Sequence, residues 1–99
     1  MQSSWVYILE CFDGSYYTGS TNDLERRFAE HQEGLDLKAY TFKRRPVKLV
    51  FAYELIDIRE AYELEYQIKG WSRAKKIALM NGDLDELVRL SNDNGSKKK

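Results

Sequence analysis

The sequence is poor in almost everything that staples or anchors a small protein. A single cysteine, Cys11, excludes an intramolecular disulfide and fits a reducing compartment. Its place in a strand-like run reads as a buried inert thiol rather than a nucleophile. One cysteine and one histidine cannot make a zinc site by themselves. No apolar run approaches the roughly 18 residues of a membrane span, and no signal-peptide pattern opens the chain. The expectation is therefore a cytoplasmic protein with no membrane partner. Walker-type and dinucleotide-type glycine patterns are missing, and no nucleophile motif supports a Ser-His-Asp arrangement around His31. The formal net charge of zero argues against a protein that coats nucleic acid non-specifically.

What is present fits one soluble domain. The 99 residues are 42% hydrophobic and 32% charged, enough for a modest core without metal or disulfide support. Residues 1–90 read as a single domain and 91–99 as a disordered polar tail. Tyrosine is over-used, with seven copies. Charge is segregated: Lys38 to Lys48 holds five basic residues and no acid, and Lys69 to Lys76 holds four more. Such stripes either hold a phosphate backbone on one face or are ordinary solvated surface.

Periodicity gives the order ββαβααα, an α/β (α+β) sandwich of one small sheet flanked by helices. "SWVYILEC" alternates as a strand, with Trp5, Tyr7, Leu9 and Cys11 on one face. "FDG" is a turn, and "SYYTGS" a second strand. Asn22 and Glu25 have capping-box spacing before a helix with apolar Leu24 and Phe28, ending at Gly34. "VKLVFAYEL" is a third strand. Asp57 and Glu60 open a second helix with Ala61, Leu64, Ile68 and Trp71 on its apolar side, Ser72 caps a third, and "DLDELVRL" is a fourth.

The hairpin register decides whether two tyrosines can share a site. A two-residue loop would put Glu10 opposite Tyr17 and separate the phenols. A three-residue loop, Phe12-Asp13-Gly14, puts Leu9 opposite Tyr17 and Tyr7 opposite Gly19, with both phenols on one face. Gly14 at the last, left-handed position favours the second. Gly19 would then leave open space beside Tyr7, and Tyr16 would pack on the opposite face.

Arg27 and His31 are four apart and stack on one helical face, either looking into a cleft or lying at the core edge. Glu65 lies roughly 75° from the apolar centre of the second helix, and Glu60 at a similar angle, so the helical wheel does not choose between them. The set Tyr, Tyr, Arg, His and Glu suits phosphodiester hydrolysis. Arg neutralises a phosphate, Glu holds a hard divalent cation, and a phenolate or His takes a proton from water.

On these residues the chain resembles the GIY-YIG nuclease superfamily over almost its whole length, in its short stand-alone branch. It is similar to the catalytic domain of excision-repair and homing nucleases. "VYI" (6–8) and "YTG" (17–19) stand where the two signatures lie, and the steps Tyr7–Tyr17–Arg27 match, as does the Arg27/His31 pair. "EAYELEYQIKGWSRAKKIALM" resembles the second half, where the metal-binding glutamate falls on Glu65. The resemblance implies a three-stranded antiparallel sheet and one-metal cleavage of DNA. Tyr7 would be the general base, although the sequence does not decide which tyrosine serves. His31 would orient or deprotonate a tyrosine, Tyr17 would contact water or phosphate, and Arg27 would stabilise the phosphorane. Mg²⁺ on Glu65 would hold the leaving oxygen. The first signature lacks its glycine, Thr18 replaces isoleucine in the second, and Ile77 stands where many family nucleases have an asparagine.

The chain shows no second recognition domain. DNA affinity would come from Lys43, Arg44, Arg45, Lys69, Arg73, Lys75 and Lys76, with Tyr40, Phe42 and Trp71 available for stacking, or from a protein partner. The leading reading is a Mg²⁺-dependent endonuclease acting on DNA in branched, nicked or single-stranded forms. The alternatives are a nucleic-acid-binding module with weak or no cleavage, and a protein-interaction domain on a degenerate nuclease fold.

Overall fold

The structure is a computed structural model that describes residues 3–97, with side chains as far as Ser91. It divides into two compact units, Met1–Lys69 and Gly70–Lys99. The division falls at Gly70, a residue that weakens any helix running through it.

The first unit is built on a three-stranded antiparallel sheet in the order β2-β1-β3. The strands are β1 (Ser4–Glu10), β2 (Tyr16–Thr21) and β3 (Lys48–Leu55), accompanied by α1 (Leu24–Glu33) and α2 (Ile58–Lys69). This is the expected α+β order, with one short 3-10 turn, Phe42–Arg44, added in the basic loop. Because β1 is central and covered on both faces, the consecutive residues Val6, Tyr7, Ile8 and Leu9 are all buried. Each fully buried large apolar side chain contributes about 1.5–3 kcal/mol. On the odd-numbered face Tyr7, Leu9, Cys11 and Val47 form a cluster against which Leu24 and Phe28 of α1 pack. Helix α2 lies against β1 and β2, with Ala61 and Ile68 buried.

The three-residue hairpin loop is the one that forms. Tyr7 pairs with Gly19 and Leu9 with Tyr17. The Cys11 N–H donates to Ser15 O, the Gly14 N–H donates to Cys11 O, and Gly14 has φ +86°. Between β1 and β3 the register slips once. Ile8 opposes Phe51 but Leu9 opposes Leu49, which leaves Val50 as a bulge.

Helix α1 is capped by Asp23 rather than Asn22. The Thr21 hydroxyl accepts the Asp23 N–H at 3.1 Å and makes the turn, so the cap falls one residue later. Asp23 Oδ1 then accepts from the Arg26 N–H. Gly34 ends the helix in the left-handed region, as its position predicts. Asp57 accepts the Arg59 N–H at the head of α2.

In the second unit, α3 (Arg73–Met80) is capped by Ser72, which accepts the Lys75 N–H, and α4 (Leu84–Lys97) follows Gly82. The tail expected to be disordered from residue 91 is helical in its backbone as far as Lys97. Asp83 caps this helix through the Glu86 N–H, and no proline interrupts propagation from that nucleus. Residues 98–99 lie outside those described. No helix among the described residues is long and apolar enough to cross a membrane.

Candidate active site

Strand register brings the two phenols together, and α1 brings the imidazole to them. The Tyr7 and Tyr17 rings are 6.3 Å apart between centroids, and the His31 ring is 5.9 Å from the first and 5.1 Å from the second. Tyr7 is 1% exposed and His31 4%, so neither polar tip reaches bulk water. Each is satisfied internally: Tyr7 Oη lies 3.0 Å from His31 Nε2, and His31 Nδ1 lies 2.7 Å from Thr41 Oγ1. Thr41, itself buried, closes the chain.

Burial sets the protonation of both groups in this chain. Burial, and then the neighbouring Tyr17, push the Tyr7 hydroxyl well above the ordinary phenol range. Hydrogen bonding to Arg27 and its positive charge pull the other way without prevailing. Burial, and then Arg27, hold His31 below the ordinary histidine range. At neutral pH the phenol therefore keeps its proton beside a neutral imidazole, and in the tautomer that leaves Nε2 unprotonated it donates there. The Nδ1–H in turn donates to Thr41.

Gly19 is required here for a reason opposite to the expected one. A Cβ at this position would lie 2.6 Å from the Tyr7 hydroxyl oxygen and 3.0 Å from Cε2 of Tyr17. The clearance beside Tyr7 is filled by the Tyr7 ring itself rather than left open for a ligand.

Arg27 stands one turn before His31. Its Nη1 is 3.0 Å from Glu30 Oε1, and Arg26 also reaches Glu30, at 3.5 Å. A hollow of about 240 Å³ adjoins this wall, lined by Arg27, Glu30, His31, Asp36 and Thr41 among others. The carboxylates of Glu30 and Asp36 oppose an anion inside it.

Glu65 is approached through the other face of β2. Its Oε1 accepts from the Ser20 hydroxyl at 2.5 Å, and Ser20 pairs with Val6 rather than with Tyr7. Its Oε2 lies 2.7 Å from Lys69 Nζ. Its charge reaches the Tyr7 hydroxyl and contributes to raising it. No cluster of three or more His, Cys, Asp or Glu exists among the described residues. A single carboxylate beside a hydroxyl fits a hard cation such as Mg²⁺, which keeps most of its water and takes one or two carboxylates. It does not fit a multi-carboxylate calcium cage.

The basic residues are more committed than the sequence suggests. Arg44 lies 3.9 Å above the Tyr40 ring, pairs with Asp13 at 3.1 Å and donates to Tyr40 O. Tyr40 in turn stacks on Tyr17, with centroids 6.1 Å apart at 23°. This ladder braces Tyr17 from the hairpin turn. Arg45 covers Phe42 and donates to the carbonyls of Phe42 and Gln32. Lys75 is buried, with its Nζ 4.4 Å from the Trp71 ring, and Lys76 is half-buried. Lys43 and Arg73 are exposed. Lys69 belongs to the first unit; Arg73, Lys75 and Lys76 belong to the second. Sequence reasoning passed over Thr41, Ser20 and the bracing role of Tyr40. Only Ser20 left a signal, as the hydroxyl following Gly19 on an edge strand.

Sheet order, hairpin register and flanking helices define the fold, and comparison with known proteins makes the family definite. The chain belongs to the GIY-YIG family: the model of the GIY-YIG catalytic domain, a nuclease-family domain, matches residues 3–78. Within that family it is similar to the UPF0213 proteins. One from Staphylococcus saprophyticus is 45% identical over 82% of this chain and 98% of its own length. Another, from Halobacterium salinarum, is 50% identical over 75% of this chain and 95% of its own. The solution structure of a UPF0213 protein from Bacillus halodurans shares 43% identity and a TM-score of 0.53 over 80% of this chain and 83% of that one. A protein of E. faecalis gives 34% and 0.58 over 83% and 86%.

Proposed function

We propose that the protein is a metal-dependent endonuclease that hydrolyses DNA phosphodiester bonds, with residues 1–90 acting as one functional domain in the cytoplasm. The observation that carries this reading is the Tyr7–His31–Thr41 hydrogen-bonded chain with Arg27 beside its phenol. Water attacks phosphorus as its proton passes to the Tyr7 oxygen, and the Tyr7 proton passes to His31 Nε2. A phenol with a raised affinity for its proton suits such a relay better than it suits a standing phenolate. In the tautomer that can accept, the Nδ1–H donates to Thr41. Arg27 neutralises the charge that builds on the phosphate oxygens. Glu65, steadied by Ser20, would hold the divalent cation, which when bound supplies Lewis-acid stabilisation of the leaving oxygen. Tyr17, braced by Tyr40, would contact the phosphate or the water. Lys43, Lys69 and Arg73 are the exposed cations of the expected DNA-contact set, Lys69 being paired with Glu65, and a protein partner could add the rest of the affinity.

One observation favours a variant of this scheme. Tyr17 is half-buried while Tyr7 is 1% exposed, so Tyr17 has the easier access to water. In that variant Tyr17 is the base and Tyr7 with His31 orients it.

The test is cleavage of branched, nicked and single-stranded DNA by wild type, Tyr7→Phe, Tyr17→Phe and Glu65→Gln, with Mg²⁺ and with chelator. Metal-dependent cleavage lost most severely in Tyr7→Phe supports the relay, and the reverse order of the two tyrosines supports the variant. Binding without cleavage across the panel would leave a nucleic-acid-binding module.

A further inference from the structure

Both oxygens of the Glu65 carboxylate are engaged, and the two partners differ in kind. Ser20 offers a neutral hydroxyl from a strand, 2.5 Å from Oε1. It can stay there when the other oxygen binds a cation. Lys69 brings a full positive charge to Oε2, 2.7 Å away. An ammonium at that distance and a divalent cation cannot share the oxygen, because a cation bound at about 2.0–2.1 Å would face the ammonium with little between them.

The helix sets up this pairing and also allows its release. Lys69 follows Glu65 by one turn of α2, on the same face and in the favourable acid-before-base order. The carboxylate side chain is 18% exposed and the lysine side chain 52%, so the acid is held while the base stands at the solvent edge on a flexible four-carbon stem. The ammonium can leave without disturbing the core. The carboxylate cannot follow it.

We propose that Lys69 is the resident counter-ion of Glu65 and competes with the divalent cation for Oε2. Metal loading then requires the ammonium to swing into solvent, and Lys69 sets the metal affinity that Glu65 alone would otherwise determine. Ser20 is the positioning residue that keeps the carboxylate aimed in both states. The inference rests on Glu65 as the metal-binding residue of the proposed nuclease.

The experiment is a MgCl2 titration of the full chain at constant ionic strength, reading the backbone amide resonances of Glu65 and Ser20 by NMR, which needs no turnover. Removing the charge in Lys69→Met, and independently in Lys69→Gln, should tighten the Mg²⁺ Kd roughly three- to ten-fold. Lys69→Arg, which keeps the charge, should stay close to wild type. Ser20→Ala should weaken binding. If wild-type binding disappears in Glu65→Gln but the two neutral Lys69 variants leave Kd unchanged or weaker, this proposal is overturned and the metal reading of Glu65 stands. If Glu65→Gln binds Mg²⁺ as wild type does, the metal reading falls and this inference falls with it.

Discussion

The two faces of β2 carry the two halves of the candidate site, and they are built on opposite physical principles. On the odd face Tyr7, His31 and Thr41 are sealed in the core, each polar side-chain atom answered from within the protein, with the phenol lodged over Gly19. On the even face Ser20, Glu65 and Lys69 meet at a half-exposed helix surface, in an ion pair that solvent can open. A buried hydrogen-bonded chain holds its geometry because any departure leaves a polar group unpaired. A surface pair has little to lose. The tyrosine–histidine half of the candidate site is therefore fixed by packing and the glutamate half is left adjustable.

That contrast can be broken most forcefully at Tyr7. Tyr7→Phe keeps the ring over Gly19 and removes only the hydroxyl, so cleavage should fall by roughly 10²–10⁴-fold with the fold intact. Cleavage assays alongside thermal melting would check both halves of that statement. Next comes Gly19→Ala. Its methyl would meet the Tyr7 hydroxyl oxygen where a Cβ stands 2.6 Å away, and the ring is boxed by Tyr17 and tied to His31. A loss of about 1–3 kcal/mol in urea denaturation is expected, together with loss of the Tyr7–His31 contact.

A gain is expected at Thr18. Its hydroxyl is buried and is the one buried side-chain polar atom among the described residues without a partner. Thr18→Val keeps the shape and should stabilise by about 1 kcal/mol, read as a higher urea midpoint.

His31 sharpens the contrast through pH. Its folded-state pKa is lowered by burial, so an unfolded chain, with a histidine near ~6.5, takes up the proton first as pH falls. The stability it supports is complete above that value and declines as pH drops toward the folded-state one. The urea midpoint should fall between pH 7.5 and 5.5, and His31→Gln should flatten that slope; it is the only histidine of the chain. Least affected should be the stability of Lys69→Met, with a change of a few tenths of a kcal/mol. A large loss there would mean that the cation side is as rigid as the core.

The hairpin was readable because its determinants are local. Three residues ending in Gly14 select the loop, the loop selects the register, and the register places Tyr7 and Tyr17 on one face. Helix starts were readable to within a residue. Asn22 and Asp23 are both good caps, and what separates them is the Thr21 hydroxyl accepting the Asp23 N–H. The extent of α4 was harder to read, since a polar stretch without proline can either stop or continue a helix.

Residues far apart in the chain were not legible in this way. Nothing in "AYTFK" marks Thr41 as the partner of an imidazole on α1. Nor does local sequence mark Gln32, whose amide both donates to Val47 O and accepts the Val47 N–H. The helical wheel left Glu60 and Glu65 equivalent, and Ser20 reaches Glu65 alone.

By itself, then, the sequence determined the elements, their order, the hairpin register and a family pattern, because turn chemistry and periodicity act over a few residues. Tertiary structure decided which groups are sealed and which are exposed. It turned the space at Gly19 into a seat for Tyr7, used Arg44 to brace Tyr40, buried Lys75, and set Lys69 against Glu65. Those outcomes depend on desolvation and on partners brought together across the chain, which no short window contains.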